Sequence, residues 1–200
     1  MTLIDRLILL LTGLTAIYLT WRFYSRYSKE KARHDIYYMM GFLVLLVSGL
    51  LLIFFGWGIL ASPYVLTVAT LIPLGISMGL MHQFVPAYKK AYSWFALVGL
   101  LAIAVTSIGG MSLKSIAVPV FHGVAGLIIF GLPLFLKDTP KGFWWVGVGG
   151  LLIGIGGIAL AFLVSGSQLL FFSGEFVFAI LAPLLLLMSL AFALGFMKDL

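Results

Sequence analysis

The sequence predicts an all-α polytopic membrane protein, one membrane domain over residues 1–200 with seven transmembrane helices. Three observations carry this. Hydrophobic residues make up 63% of the chain and charged residues only 9%, against roughly a quarter charged in soluble domains. Mean hydropathy is +1.21. Several apolar runs exceed the roughly 18 residues that cross a bilayer.

Breaks in apolarity place the spans at about 5–22, 36–60, 64–85, 92–110, 115–136, 143–165 and 175–197. The segment from Arg22 to Asp35 is too charged for hydrocarbon and is expected to be a loop. Ala61-Ser62-Pro63 reads as a tight turn, with Pro63 suited to a first helical turn where its missing N–H costs nothing. Lys89-Lys90, Lys114 and the stretch Lys137 to Lys141 punctuate the rest, and Gly109-Gly110 ends the fourth span. The short apolar start is expected to be a retained anchor rather than a cleaved signal, because its positive charge follows the apolar run.

Basic residues then predict direction. Of twelve Lys and Arg, ten follow odd-numbered spans: Arg22, Arg26, Lys29, Lys31, Arg33, Lys89, Lys90, Lys137, Lys141 and Lys198. Only Arg6 and Lys114 lie on the other side. Positive loops favour the cytoplasm, so the N-terminus is expected outside and the C-terminus inside. Trp21, Phe23, Tyr24, Tyr38, Tyr92, Trp94 and Trp144 flank the predicted inner boundaries and read as interface anchors. The net charge of +6 is then orientation and contact with anionic lipid rather than a nucleic-acid footprint.

An internal repeat is also predicted. A shift of 101 positions lays residues 41–60 on 142–161 with seven identities, beginning at Gly41-Phe42 on Gly142-Phe143. A shift of 110 aligns Ala69, Leu71, Pro73, Leu74, Met78 and Leu80 with Ala179, Leu181, Pro183, Leu184, Met188 and Leu190. Spans 1–3 and 5–7 would be parallel copies about an axis along the membrane normal, joined by span 4, a 3+1+3 plan. Chance matching of Leu-rich helices is the competing reading. In plan alone the chain resembles the small sugar facilitators with their Pro-Gln loop relatives, and the microbial rhodopsins. No Pro here is followed by Gln, and the seventh span holds no Lys for a retinal Schiff base.

Cysteine is absent, which excludes disulfides, thiolate metal sites and cysteine nucleophiles. Metalloprotease, serine-hydrolase and nucleotide-loop motifs are missing too, so the reading leans against an enzyme, and no cofactor is expected. Attention falls on polar groups inside the spans, which are costly and hence functional candidates. His122 shares a stripe with Ser115, Pro119, Gly126 and Pro133. It is read as a substrate or proton site, with a structural hydrogen bond and a metal or haem ligand as the alternatives. His82 is expected to reach interfacial water, and His34 to be solvated in the basic loop. His82 and His122 differ by about 18 Å in depth by the helical rise, too far for one metal and awkward for one haem.

Thr12, Thr70 and Ser77 are candidate substrate contacts with His122, although such hydroxyls often bond their own helix. Glu175 is a candidate for proton or ion coupling, or simply a favourable charge at a helix N-terminus. Pro73 and Pro183 are candidate hinges. Gly150, Gly154 and Gly157 give the sixth span a small-residue face for close packing, including a homo-oligomer contact, or for pliability. The expected function is a small transporter or facilitator with its solute site between two three-helix repeats. The alternatives are a membrane sensor or accessory subunit, and then a haem-bearing redox subunit. The expected partners are the lipid bilayer and a small-molecule ligand.

Overall fold

A computed structural model describes residues 1–137, 139–164 and 173–197, with side chains described outside 160–164. The described residues are helical and contain no strand. The helices are α1 (Leu3–Glu30), α2 (Arg33–Phe55), α3 (Pro63–Ala69), α4 (Leu71–Phe84), α5 (Lys89–Ile108), α6 (Lys114–Phe135), α7 (Trp144–Val164) and α8 (Gly174–Phe196). Six spans are long and apolar enough to cross a membrane: α1, α2, α3 with α4, α5 with its preceding turn, α6 and α8. The remaining helix, α7, is also apolar. This is the architecture of an integral membrane protein.

Local chemistry explains the boundaries. A reciprocal cap opens α1: the Asp5 N–H donates to Thr2 Oγ1 at 3.2 Å, and the Thr2 N–H donates to Asp5 Oδ2 at 2.7 Å. Pro63 occupies the first turn of α3, as expected. The third span breaks between Ala69 and Leu71. Pro73 has no N–H to offer the Ala69 carbonyl, and its ring crowds that turn.

The expected loop from Arg22 to Asp35 is instead almost wholly helical. α1 runs on to Glu30, Lys31 turns the chain at φ 54°, and α2 starts at Arg33. Charge excludes a segment from hydrocarbon but leaves it free to remain helical beyond the hydrocarbon boundary. The continuation lets Arg26 meet Asp35, with Nε to Oδ1 at 2.9 Å, and both side chains are buried. His34 is likewise in the first turn of α2 rather than in a loop, half-buried with Nε2 3.6 Å from Asp35 Oδ1. At its other end α2 stops at Phe55, five residues short of the expected end, because Gly56 takes φ 72° and a short 3-10 turn, Trp57–Ala61, follows.

Trp21, Tyr24, Trp94 and Trp144 are exposed, as interface anchors would be. Phe23, Tyr38 and Tyr92 are not: they are buried. Phe23, Tyr38, Phe42, Phe143, Phe192 and Phe196 form an aromatic core joining α1, α2, the start of α7 and the end of α8. Phe196 meets Phe23 edge-on with centroids 5.1 Å apart, a favoured aromatic geometry.

Packing follows the glycines. Along α4, a Cβ on Gly75 would stand 2.8 Å from the Tyr37 carbonyl oxygen and 3.0 Å from the Gly41 nitrogen. On α7, a Cβ on Gly147 or Gly150 would meet α6 backbone at 2.8 and 2.5 Å. Without a strong hydrophobic drive between helices in lipid, such close backbone approach is a main source of association. Gly75→Val should therefore lower stability by about 1–3 kcal/mol, the usual range for overpacking. Gly154→Val, whose Cβ enters open space, should cost less than half as much. Thermal melting of both variants in one detergent checks the contrast.

Candidate functional site

Two cavities meet at His122. The smaller, 130 Å³, lies centrally, where α1, α2, α3, α4, α6, α7 and α8 converge. Thr12, Ser48, Ala69, Pro73, His122 and Gly157 are among its lining residues, the rest being mainly aliphatic. The larger, 340 Å³, is a groove along α6 and α7 that includes Pro73, His122, Gly123, Gly126, Gly154 and Gly157. His122, Pro73, Ile153 and Gly157 belong to both, so His122 is the polar side chain common to the two linings.

The site is local chemistry placed by helix geometry. Pro119, His122 and Gly126 lie on one face of α6 and all line the groove. Ser115 does not join them: it is exposed, and its hydroxyl donates to the Ser112 carbonyl at 2.7 Å. Across from His122, α7 offers Gly157, whose Cβ position would lie 4.0 Å from His122 Cδ2. His122 Nδ1 is buried without a hydrogen bond of normal geometry, and the ring's backbone partner is Val118, one turn earlier in α6. A neutral imidazole has one donor and one acceptor nitrogen, so the ring's unfilled hydrogen-bonding capacity is at Nε2. Pro73 adds to it by leaving the carbonyl of Ala69, which also lines the central cavity, with no helical donor.

The other candidates are distributed differently. Thr12 is buried on the central cavity and donates to the Ile8 carbonyl at 3.1 Å. Thr70 and Ser77 are fully buried but line neither cavity. Thr70 donates to the Leu66 carbonyl at 2.9 Å, and Ser77 to the Pro73 carbonyl at 2.6 Å. These hydroxyls thus bond their own helices. Pro183 sits within a continuous α8, beside Leu181 and Leu184 of the central cavity without lining it. Glu175 is exposed in the first turn of α8, which Ser173 caps by accepting from the Phe176 N–H at 3.2 Å. Gly150 packs against α6 while Gly154 faces open space, so the glycine face serves both contact and cavity.

His82 stands apart from both cavities. Its Nε2 is 2.8 Å from Ser93 Oγ, which itself donates to the Lys89 carbonyl, so the imidazole N–H is the donor in that pair. The ring lies 4.6 Å from that of Tyr37. Among the described residues no group of three or more His, Cys, Asp and Glu gathers in metal-binding geometry.

Three features escape sequence reading. Ser48 joins the central cavity from an otherwise apolar span. The Arg26–Asp35 pair lies hidden in what looks like a solvated charge run. Tyr92 Oη donates to Ser77 Oγ at 2.7 Å, tying α5 to α4 one turn from Pro73. Position near an interface was the only signal for Tyr92, and it pointed outward.

Comparison with known proteins finds no matching family model, no matching curated protein and no matching solved structure. Function is therefore argued from the site alone.

The Tyr92–Ser77–Pro73 chain gives an asymmetric expectation. Tyr92→Phe removes one hydrogen bond and leaves Ser77 still bonded to its helix, a loss of about 0.5–1.5 kcal/mol. Ser77→Ala strands the buried Tyr92 hydroxyl and should cost more, about 1–3 kcal/mol. Melting of the two single variants and the double variant checks this, the double being no worse than Ser77→Ala.

Proposed function

We propose that the chain is a small integral membrane transporter or facilitator that moves a small solute past His122, between two three-helix units. One unit is α1, α2 and the broken span α3–α4; the other is α6, α7 and α8; α5 links them. The observation that carries the reading is His122 itself, the polar side chain common to the linings of both cavities among the described residues. Few-polar, largely apolar pockets with one oriented polar group are the usual form of small-molecule sites.

The packing supports a two-unit plan. α1 packs on α2 and on α8, while α6 packs on α7 and on α4. The first helix of each unit thus lies against the third span of the other, the reciprocity expected of parallel repeats about an axis along the membrane normal. Pro73 and Pro183 would be equivalent in that scheme, with only the former breaking its helix. Orientation follows from the ten-to-two distribution of basic residues, N-terminus outside and C-terminus cytoplasmic. Coupling to a proton or ion, where present, is assigned to His122, since Glu175 lines neither cavity.

A C-terminal reporter that is active only in the cytoplasm should be active in cells, and the same reporter at the N-terminus should be silent. For transport, proteoliposomes are loaded with a panel spanning glycerol, methylammonium, acetate and a nitrobenzoxadiazole-tagged prenol. At least one should cross faster through wild type than through His122→Gln, with His82→Gln behaving like wild type. Equal movement in protein-free liposomes for every solute would overturn transport and leave a ligand-binding sensor or subunit.

A further inference from the structure

The geometry points to a lipophilic ligand with a single hydrogen-bonding oxygen, a prenol-like molecule that enters sideways from the bilayer between α6 and α7 and brings its head to His122. This rests on His122 as the site and names the class of molecule it takes.

The groove borders the outer apolar surface. Leu127, Leu151, Ile155 and Ile158 line it and are also 46–69% exposed, so in a chain that spans a membrane this rim meets acyl chains. The space exists because side chains are missing. A Cβ on Gly123 or Gly154 would touch nothing within 4 Å, and one on Gly126 would meet only the Gly154 Cα at 3.9 Å. At 340 Å³ the groove falls within the roughly 300–1,000 Å³ of small-ligand pockets.

Its chemistry selects the occupant. Among the described residues the side chains around the groove are aliphatic, aromatic or absent, and His122 is the one with hydrogen-bonding atoms. A solute with several polar groups would lose its hydration there with one imidazole in compensation, whereas an apolar body with one hydroxyl or carbonyl exposes only one group to that loss. The imidazole lines the groove, and with Nδ1 shut off from the space, the nitrogen left for a head group is Nε2. Because His122, Pro73 and Gly157 also line the central cavity, a head group held on the ring is already at the boundary of the bundle interior.

The test uses the 200-residue chain in detergent micelles, mixed with farnesol and with farnesene, an unsaturated hydrocarbon of the same branched skeleton without the hydroxyl, and read by native mass spectrometry. Wild type should retain farnesol about tenfold more than farnesene, the ratio expected of one good buried hydrogen bond. His122→Phe should bind both equally. Gly154→Leu, which fills open space, should lose both while keeping the wild-type helical content by circular dichroism. Equal retention of the two molecules by wild type, or farnesol retention unchanged in Gly154→Leu, overturns the inference. A dimer that excludes farnesol and dissociates in Gly154→Leu also overturns it, assigning the groove to a second copy of the chain. The two readings fail separately. Farnesol retention without movement of any solute in liposomes sinks transport alone, and His122-dependent glycerol movement without farnesol retention sinks the lipophilic ligand alone.

Discussion

Helix backbones in this protein come together where glycine faces a neighbour, and the rest of the architecture depends on that contact. Gly75 meets the Tyr37–Gly41 turn of α2, Gly147 and Gly150 meet the backbone of α6, and Gly195 meets α7 at Val146. In lipid the tails outside are as apolar as the side chains inside, so association relies on close van der Waals packing rather than on burial from water. The same residue type then creates the cavities. One turn beyond Gly150, Gly154 has no neighbour within 4 Å of its Cβ position although the Gly126 Cβ position lies 3.9 Å from Gly154 Cα, so the backbones stay close while side-chain space opens.

The space left by these glycines is lined by a single imidazole among the described residues, and polar atoms elsewhere in the spans are mostly satisfied nearby. Thr12, Thr20, Thr67, Thr70 and Thr106 all donate to carbonyls four residues earlier in their own helices. Ser77 does the same while accepting from Tyr92. Such bonds remove hydroxyls from the pool that can greet a ligand. His122 is different because its ring lines both cavities. Proline contributes through absence: Pro73 has no N–H for the carbonyl of Ala69, the last residue of α3 and a lining residue of the central cavity, and Thr70 alone separates α3 from α4.

At the basic end a different force closes the structure. Arg26 and Asp35 form a buried pair across the α1–α2 turn, and the Arg26 guanidinium also lies 5.3 Å from the Phe23 ring centroid. Phe23 is in turn stacked on Tyr38, whose hydroxyl donates to Gln83 Oε1 at 2.9 Å. Ion pairing, ring stacking and a hydrogen bond thus connect α1, α2 and α4 in sequence. Taking one member of such a buried pair away leaves the other charge uncompensated, commonly a loss of about 3–5 kcal/mol. The pair fixes the hairpin on which the aromatic core of Phe42, Phe143, Phe192 and Phe196 is assembled.

The helical class, six of the spans and most helix ends to within a few residues are legible in the sequence, because hydrocarbon thickness and charge act on local composition. The sequence also singled out His122, since an ionisable group deep in an apolar run is conspicuous without knowledge of its neighbours. Tertiary structure alone decided that Arg22 to Asp35 is helix with a buried ion pair, that Phe23, Tyr38 and Tyr92 turn inward, and that Thr70 and Ser77 lie off the cavities while Thr12 and Ser48 lie on the central one. It likewise divided one glycine stripe into Gly150, which packs, and Gly154, which opens a groove. The reason is common to all of them. Periodicity tells which residues share a face of one helix, but whether that face meets a backbone, a ring, a charge or a void depends on a second helix whose position no local pattern encodes.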